Sequence, residues 1–117
     1  METRRVEKPW GYELIYAVTD RYVGKVLHVK KGEALSLQYH NQKDETIHIW
    51  KGSIKFYTGH EPGGTLKEQI LNVGQSFHIT PKLVHRMVAL EDTDILEVST
   101  TELDDVVRLE DRYGRSK

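Results

Sequence analysis

Cysteine is absent from the 117-residue chain, which removes disulfides, thiolate zinc sites and cysteine nucleophiles together. The absence does not identify a compartment. An excess of either charge is also missing: 17 basic residues meet 18 acidic ones, for a net charge of −1. Nothing in that balance attracts a polyanion, and Arg4, Arg5 and Lys8 are too few and too dispersed for a nucleic-acid arm. No nucleic-acid partner is expected. No run approaches the roughly 18 apolar residues that span a bilayer, and the N-terminus carries no apolar leader. The expectation is a cytoplasmic protein with no membrane partner. Internal repeats, low-complexity tracts and linkers are lacking too. Gly63-Gly64 is followed by no lysine-serine pair and helix, so it reads as a hairpin tip and not a phosphate loop.

What is present is a succession of short apolar runs: residues 22–29, 34–39, 46–50, 53–57, 67–71, 76–79, 85–90 and 94–99. Each has strand length, and few show helical spacing. Turn-forming stretches separate them, among them Lys31-Gly32-Glu33, Lys51-Gly52-Ser53 and Thr80-Pro81-Lys82. About eight strands with short connections predict an all-β fold of two packed antiparallel sheets, a small β-barrel or jelly roll. The length suits one domain over 1–117, with the barrel at 17–100. An N-terminal segment, 1–16, carries Pro9-Trp10-Gly11-Tyr12-Glu13, whose aromatics can cover a sheet edge or reach a partner subunit. A C-terminal tail, 101–117, suits either a short helix opened by Thr101 or a final strand and turn. Its acids Glu102, Asp104, Asp105, Glu110 and Asp111 read most simply as a solvated face. The apolar N-terminal cluster and the limited core of so short a barrel predict a homodimer.

Gln38, His40, Glu45 and His85 carry the chemistry. Side chains two apart share a face of a strand, so Gln38 and His40 point the same way, and Glu45 follows one short turn later. His85 joins them only if a second hairpin lies alongside the first. Two imidazoles, a carboxylate and an amide oxygen suit Zn²⁺, and leave Fe²⁺, Mn²⁺, Co²⁺ and Ni²⁺ open. The plain alternative, polar residues on a wet face, describes Gln38 and His40 if Glu45 and His85 are set aside. His28, His48 and His60 fall in no such pattern and read as surface residues.

Gly32, Gln38, His40, Glu45 and Gly52 resemble the first motif of the cupin superfamily, with Gln38 in place of its first histidine. Gly74, Pro81 and His85 resemble the second motif, with Lys82 at its usual glycine position. A closer resemblance is to the mannose-6-phosphate isomerase-like cupins, including the C-terminal domain of bifunctional mannose-6-phosphate isomerase/mannose-1-phosphate guanylyltransferases. It rests on Pro9-Trp10-Gly11-Tyr12-Glu13, Leu35-Ser36-Leu37-Gln38-Tyr39-His40 and Arg108-Leu109-Glu110-Asp111-Arg112-Tyr113-Gly114-Arg115, in that order. The resemblance implies zinc held by Gln38, His40, Glu45 and His85, and aldose/ketose exchange on mannose 6-phosphate or a related sugar through an enediolate. Asn41 and Gln42 stand where the bifunctional enzymes carry further histidines, so no role of those histidines transfers.

Proton transfer needs a general base, for which His78 and Lys30 are the candidates. A sugar phosphate needs guanidinium groups, and Arg86, Arg108, Arg112 and Arg115 are available, with Arg86 and Arg112 taken as substrate-binding. On a regular strand His78 would face away from Phe77 and Ile79, and Arg86 away from His85. Two other functions use the same ligands: a non-catalytic sugar- or metal-binding module, and an iron-dependent oxygenase or lyase.

Overall fold

Alternating apolar and polar residues give strands with one dry face and one wet face. The computed structural model describes residues 2–115 and contains eleven strands: β1 (Arg4–Lys8), β2 (Gly11–Val18), β3 (Val23–Val29), β4 (Leu37–Tyr39), β5 (Glu45–Lys51), β6 (Ser53–Gly59), β7 (Lys67–Asn72), β8 (Ser76–Ile79), β9 (Val84–Ala89), β10 (Thr93–Ser99) and β11 (Val107–Glu110). They form a six-stranded sheet in the order β1-β2-β3-β10-β5-β8 and a five-stranded sheet in the order β11-β4-β9-β6-β7. All pairings are antiparallel. This is the jelly-roll arrangement anticipated from the punctuation of the chain. Among the described residues no helix is long and apolar enough to cross a membrane.

The two sheets bury their facing sides against each other. Ile47, Ile49, Ile54, Phe56, Ile79 and Ile95 are fully buried between them, each such side chain contributing roughly 1.5–3 kcal/mol on transfer from water. Phe77 meets Phe56 edge-on at 4.8 Å between ring centroids, a favoured aromatic geometry.

Three strands lie in the segments set aside as tails. β1 and β2 form a hairpin that extends the first sheet past β3, and β11 edges the second sheet beside β4. The physical reason is alternation: Gly11, Glu13 and Ile15 turn inward while Tyr12 and Leu14 lie less buried. Trp10 enters the core with 3% of its surface exposed, so it is not left free for a partner subunit. Gly11 is required where it stands, because its φ is +152° and an added Cβ would lie 1.9 Å from the His28 carbonyl oxygen. Of the two forms weighed for the C-terminal tail, the strand and turn is the one adopted. Residues 1, 116 and 117 of the expected tails lie outside the described range.

β4 is shorter than the 34–39 run suggests, and Ala34 contributes only an isolated bridge to Val88. Its position is nonetheless decisive, since it carries Gln38 between β11 and β9 and delivers His40 to the first turn after the strand.

Candidate metal centre

Register across the second sheet assembles one side of the site. Arg108 of β11 faces Gln38 of β4, Gln38 faces His85 of β9, and His85 faces Thr58 of β6. Directly opposed residues of antiparallel strands project from the same face, so these four form a row. Glu45 arrives from the first sheet, where it opens β5. His40 Nε2 lies 2.7 Å from Glu45 Oε2, and His85 Nε2 lies 3.9 Å from the same oxygen. One ligand atom from each of the three residues falls within 4.8 Å of the others, and all three side chains are buried.

Both imidazoles are held by their far nitrogens. His40 Nδ1 donates to the Asp105 carbonyl at 2.5 Å and His85 Nδ1 to the Leu83 carbonyl at 2.9 Å. That fixes the Nδ1–H tautomer and leaves each Nε2 lone pair aimed inward, the arrangement that a metal-ligating histidine requires. Gln38 Nε2 donates to Ser36 Oγ at 2.8 Å and to the Ser36 carbonyl at 3.3 Å, which leaves its Oε1 for a cation. Glu45 Oε2 is buried without a hydrogen bond of acceptable geometry despite its closeness to His40. Two lone-pair nitrogens around an orphaned carboxylate oxygen fit a divalent ion, and the N/O donor set suits one.

Electrostatics agree with ligands ready for a metal. Burial works to raise the Glu45 pKa, but the His40 contact, Lys43 and His85 outweigh it and hold it at about 2. Burial lowers the His85 pKa, against the opposing pull of Glu45. Asp105 clamps the loop before Glu45: its carboxylate accepts the backbone N–H groups of Asn41, Gln42 and Lys43 at 2.9, 2.6 and 2.9 Å. Those bonds bring its pKa down to about 2.

The centre opens into a cavity of about 500 Å³, the size of small-molecule sites. Trp10, Ile15, Leu27 and Met87 supply apolar wall. Lys43 Nζ sits 3.1 Å from Glu97 Oε2 and 3.9 Å from Glu45 Oε1. Burial opposes the Lys43 charge, yet Glu97 and Glu45 leave its pKa raised. Glu97 is pushed up to about 7 by burial and by the nearby Glu45, against the pull of Lys43 and Lys25. Lys25 pairs with Glu13 at 3.4 Å.

All four expected ligands meet at the cavity. The other expected site residues do not. His78 projects from the wet side of β8, exposed, with its Nε2 2.6 Å from Asp44 Oδ1. Phe77 and Ile79 occupy the dry side, as alternation requires. Lys30 is exposed beyond the end of β3, with its backbone N–H given to the Trp10 carbonyl. Arg86 turns outward and binds the Leu35 and Glu110 carbonyls. Arg112 donates to the Gly32 carbonyl at 2.6 Å. None of these four lines the cavity.

Glu97, Lys25 and Lys43 line the cavity and Asp105 braces it, and none of the four stands out in the sequence as a site residue. For Glu97 the signal existed, since Ile95, Glu97 and Ser99 share a strand face. Lys25 likewise shares the face of Val23, Leu27 and Val29. Lys43 and Asp105 lie in irregular segments, where periodicity carries no information, and Asp105 is a clamp and not part of a solvated acidic face.

Two packed antiparallel sheets with a His/Glu/His group in the cavity between them define a cupin domain with a candidate mononuclear metal centre. The chain belongs to the family described as mannose-6-phosphate isomerase C-terminal, whose profile matches residues 1–111. It is 36% identical over 118 aligned positions to a mannose-1-phosphate guanylyltransferase of Escherichia coli, covering 96% of this chain and 23% of the relative. It is 31% identical to the xanthan biosynthesis protein XanB of Xanthomonas campestris, covering 97% of this chain and 24% of that one. The chain thus spans about a quarter of the length of these relatives. In fold it is similar to oxalate decarboxylase of Bacillus subtilis, with a TM-score of 0.79, 19% identity and coverage of 92% of this chain and 30% of the other. It is also similar to KdgF of Halomonas sp., with a TM-score of 0.72, 19% identity and 89% coverage of each chain.

Proposed function

We propose that this chain is a single cupin domain acting as a metal-dependent aldose/ketose isomerase on a sugar phosphate, mannose 6-phosphate or a close relative, with zinc at Gln38, His40, Glu45 and His85. The observation that carries the reading is the convergence of His40, Glu45 and His85 within 4.8 Å of one another, in a cavity that also holds buried acid-base groups. Membership of the isomerase C-terminal family points to the same substrate class. Guanylyl transfer, the activity in the name of the longer relatives, is not part of the proposal.

A bound divalent ion would supply electrophilic polarisation of a carbonyl oxygen. The chain's own groups supply the rest. Glu97, with a pKa pushed up to about 7, is matched to taking a proton from one carbon and returning it to its neighbour near neutral pH. Lys43, at 3.1 Å, balances the carboxylate after the proton has left. Trp10, Leu27 and Met87 keep the walls dry, which strengthens each of these interactions. Trp50, 65% exposed, leaves apolar surface on the outer side of the first sheet together with Tyr16 and Val98, and we assign the working form as a homodimer.

The test is hydrogen exchange. Zinc-loaded protein is expected to exchange the C2 hydrogen of a hexose 6-phosphate with solvent deuterium, and the Gln38→Ala/His40→Ala variant to fail. Sugar-phosphate binding without exchange would instead identify a binding module. Oxygen consumption after loading with iron would identify an oxygenase.

A further inference from the structure

Arg108 is placed in the cavity wall with one of its nitrogens left unanswered. Its Nε is buried and has no hydrogen-bond partner among the described residues, an arrangement that is costly unless a ligand supplies the acceptor. Register puts Arg108 beside Gln38, which in turn faces His85. The Arg108 backbone therefore lies two strand spacings from that of His85, about 10 Å.

Other cations gather at the same end. Lys8, Lys25 and Arg115 all line the cavity with Arg108. Burial lowers the pKa of Lys8, and Lys25, Arg115 and Arg108 lower it further, while Glu13 opposes them. The available carboxylates are already engaged. Glu13 holds Lys25, and Asp111 holds Arg115 through Nε at 2.9 Å and a second guanidinium nitrogen at 3.0 Å. Among the described residues Lys8 and Arg108 have no carboxylate partner. Two positive charges without a salt-bridge partner, one of them a fork that fits paired oxygens, match a dianion better than a single carboxylate.

We propose that Arg108 and Lys8, flanked by Lys25 and Arg115, form a subsite for a phosphate monoester, seating the dianionic end of a ligand whose other end reaches the metal centre. This rests on the sugar-phosphate reading above and locates the phosphoryl group within it. It also replaces Arg86 and Arg112 with groups that face the cavity.

Calorimetric titration of metal-free protein with inorganic phosphate, in a constant chloride background, tests the subsite without catalysis. One phosphate per chain is expected, weakened at least tenfold by Arg108→Gln and by Lys8→Gln, and unchanged in Arg21→Gln, which removes an exposed charge elsewhere. The Lys8 side chain makes no hydrogen bond or ion pair among the described residues, so Lys8→Gln remains informative should Arg108→Gln fold poorly. With the metal-loaded protein, a hexose 6-phosphate is expected to bind at least tenfold more tightly than the same hexose without phosphate. No saturable phosphate binding, or equal binding in both variants, overturns the subsite. Inorganic phosphate that binds while the hexose and its 6-phosphate bind alike also overturns it. If C2 exchange fails while phosphate binding still depends on Arg108 and Lys8, the isomerase reading falls and the subsite stands. If exchange proceeds with KM unchanged in both variants, the reverse holds.

Discussion

Asp105 holds His40 from two directions: its carbonyl oxygen accepts the His40 Nδ1–H at 2.5 Å, and its carboxylate collects the next three backbone N–H groups, from Asn41 to Lys43. The His40 ring and the loop leading to Glu45 are therefore fixed by one residue. Residues that orient a ligand in this way typically change metal affinity 10–100-fold when altered.

Asp105→Ala keeps that carbonyl and removes only the carboxylate that gathers the loop, so it is expected to weaken zinc binding by about tenfold, the lower end of that range, while leaving the cavity open. Competition with a chromophoric chelator measures this directly, and an unchanged affinity would show that the clamp does not control the site. The Asp105 pKa of about 2 lies below its ordinary 3.8. The clamp's contribution is therefore complete above about pH 4 and is lost as pH falls through about 2.

His85→Ala should leave fewer metal ions per chain than the wild type after dialysis against dilute zinc. Elemental analysis gives the count. The wild type is expected to hold one ion per chain, and His78→Ala to hold the same, because His78 lies on the opposite side of the sheet.

Glu97 predicts a different pH response. Its folded pKa, about 7, lies above the ordinary 4.5 because burial disfavours its charge. Its stabilising contribution in the metal-free protein is present below about pH 4.5 and disappears as pH rises through about 7. Denaturant midpoints measured from pH 4 to pH 8 should fall over that interval, and Glu97→Gln should flatten the fall.

Lys82 adopts φ +75°, outside the range comfortable for a residue with a side chain. The left-handed conformation costs about 1–2 kcal/mol for such residues. Lys82→Gly removes that strain and gives up an exposed bond from Lys82 Nζ to Asn41 Oδ1. The expected net effect is a gain of about 1 kcal/mol, visible as a rise in Tm, with the Lys82 N–H to His40 carbonyl bond retained.

Light scattering at micromolar concentration should return twice the chain mass, and Trp50→Ser should shift it toward the monomer. A monomer mass for the wild type removes the dimer.

The strands, and the shared face of Gln38 and His40, were legible because both obey a period of two. Ser36 to His40 and the run from His85 announce which side chains share a face, and turn residues mark where each run stops. Strand register was not legible. Only the pairing of β4 with β9 puts Gln38 opposite His85, and no local pattern states that pairing. β1, β2 and β11 were hidden in segments whose aromatics and charges suited tails equally well. The cationic end of the cavity was missed for the same reason. Lys8, Lys25 and Arg108 lie far apart in the chain, on three strands, and converge only when both sheets have closed. Arg86 and Arg112 attract attention in sequence, one beside a ligand and the other in a charged tail, but backbone carbonyls already engage their guanidinium groups.

β4 has three residues and depends on β11 for one of its two neighbours. Asp105 and β11, which follow every other strand in the chain, therefore brace both Gln38 and His40. The short strand beneath Gln38 is thus held in place by a segment some seventy residues further along the chain.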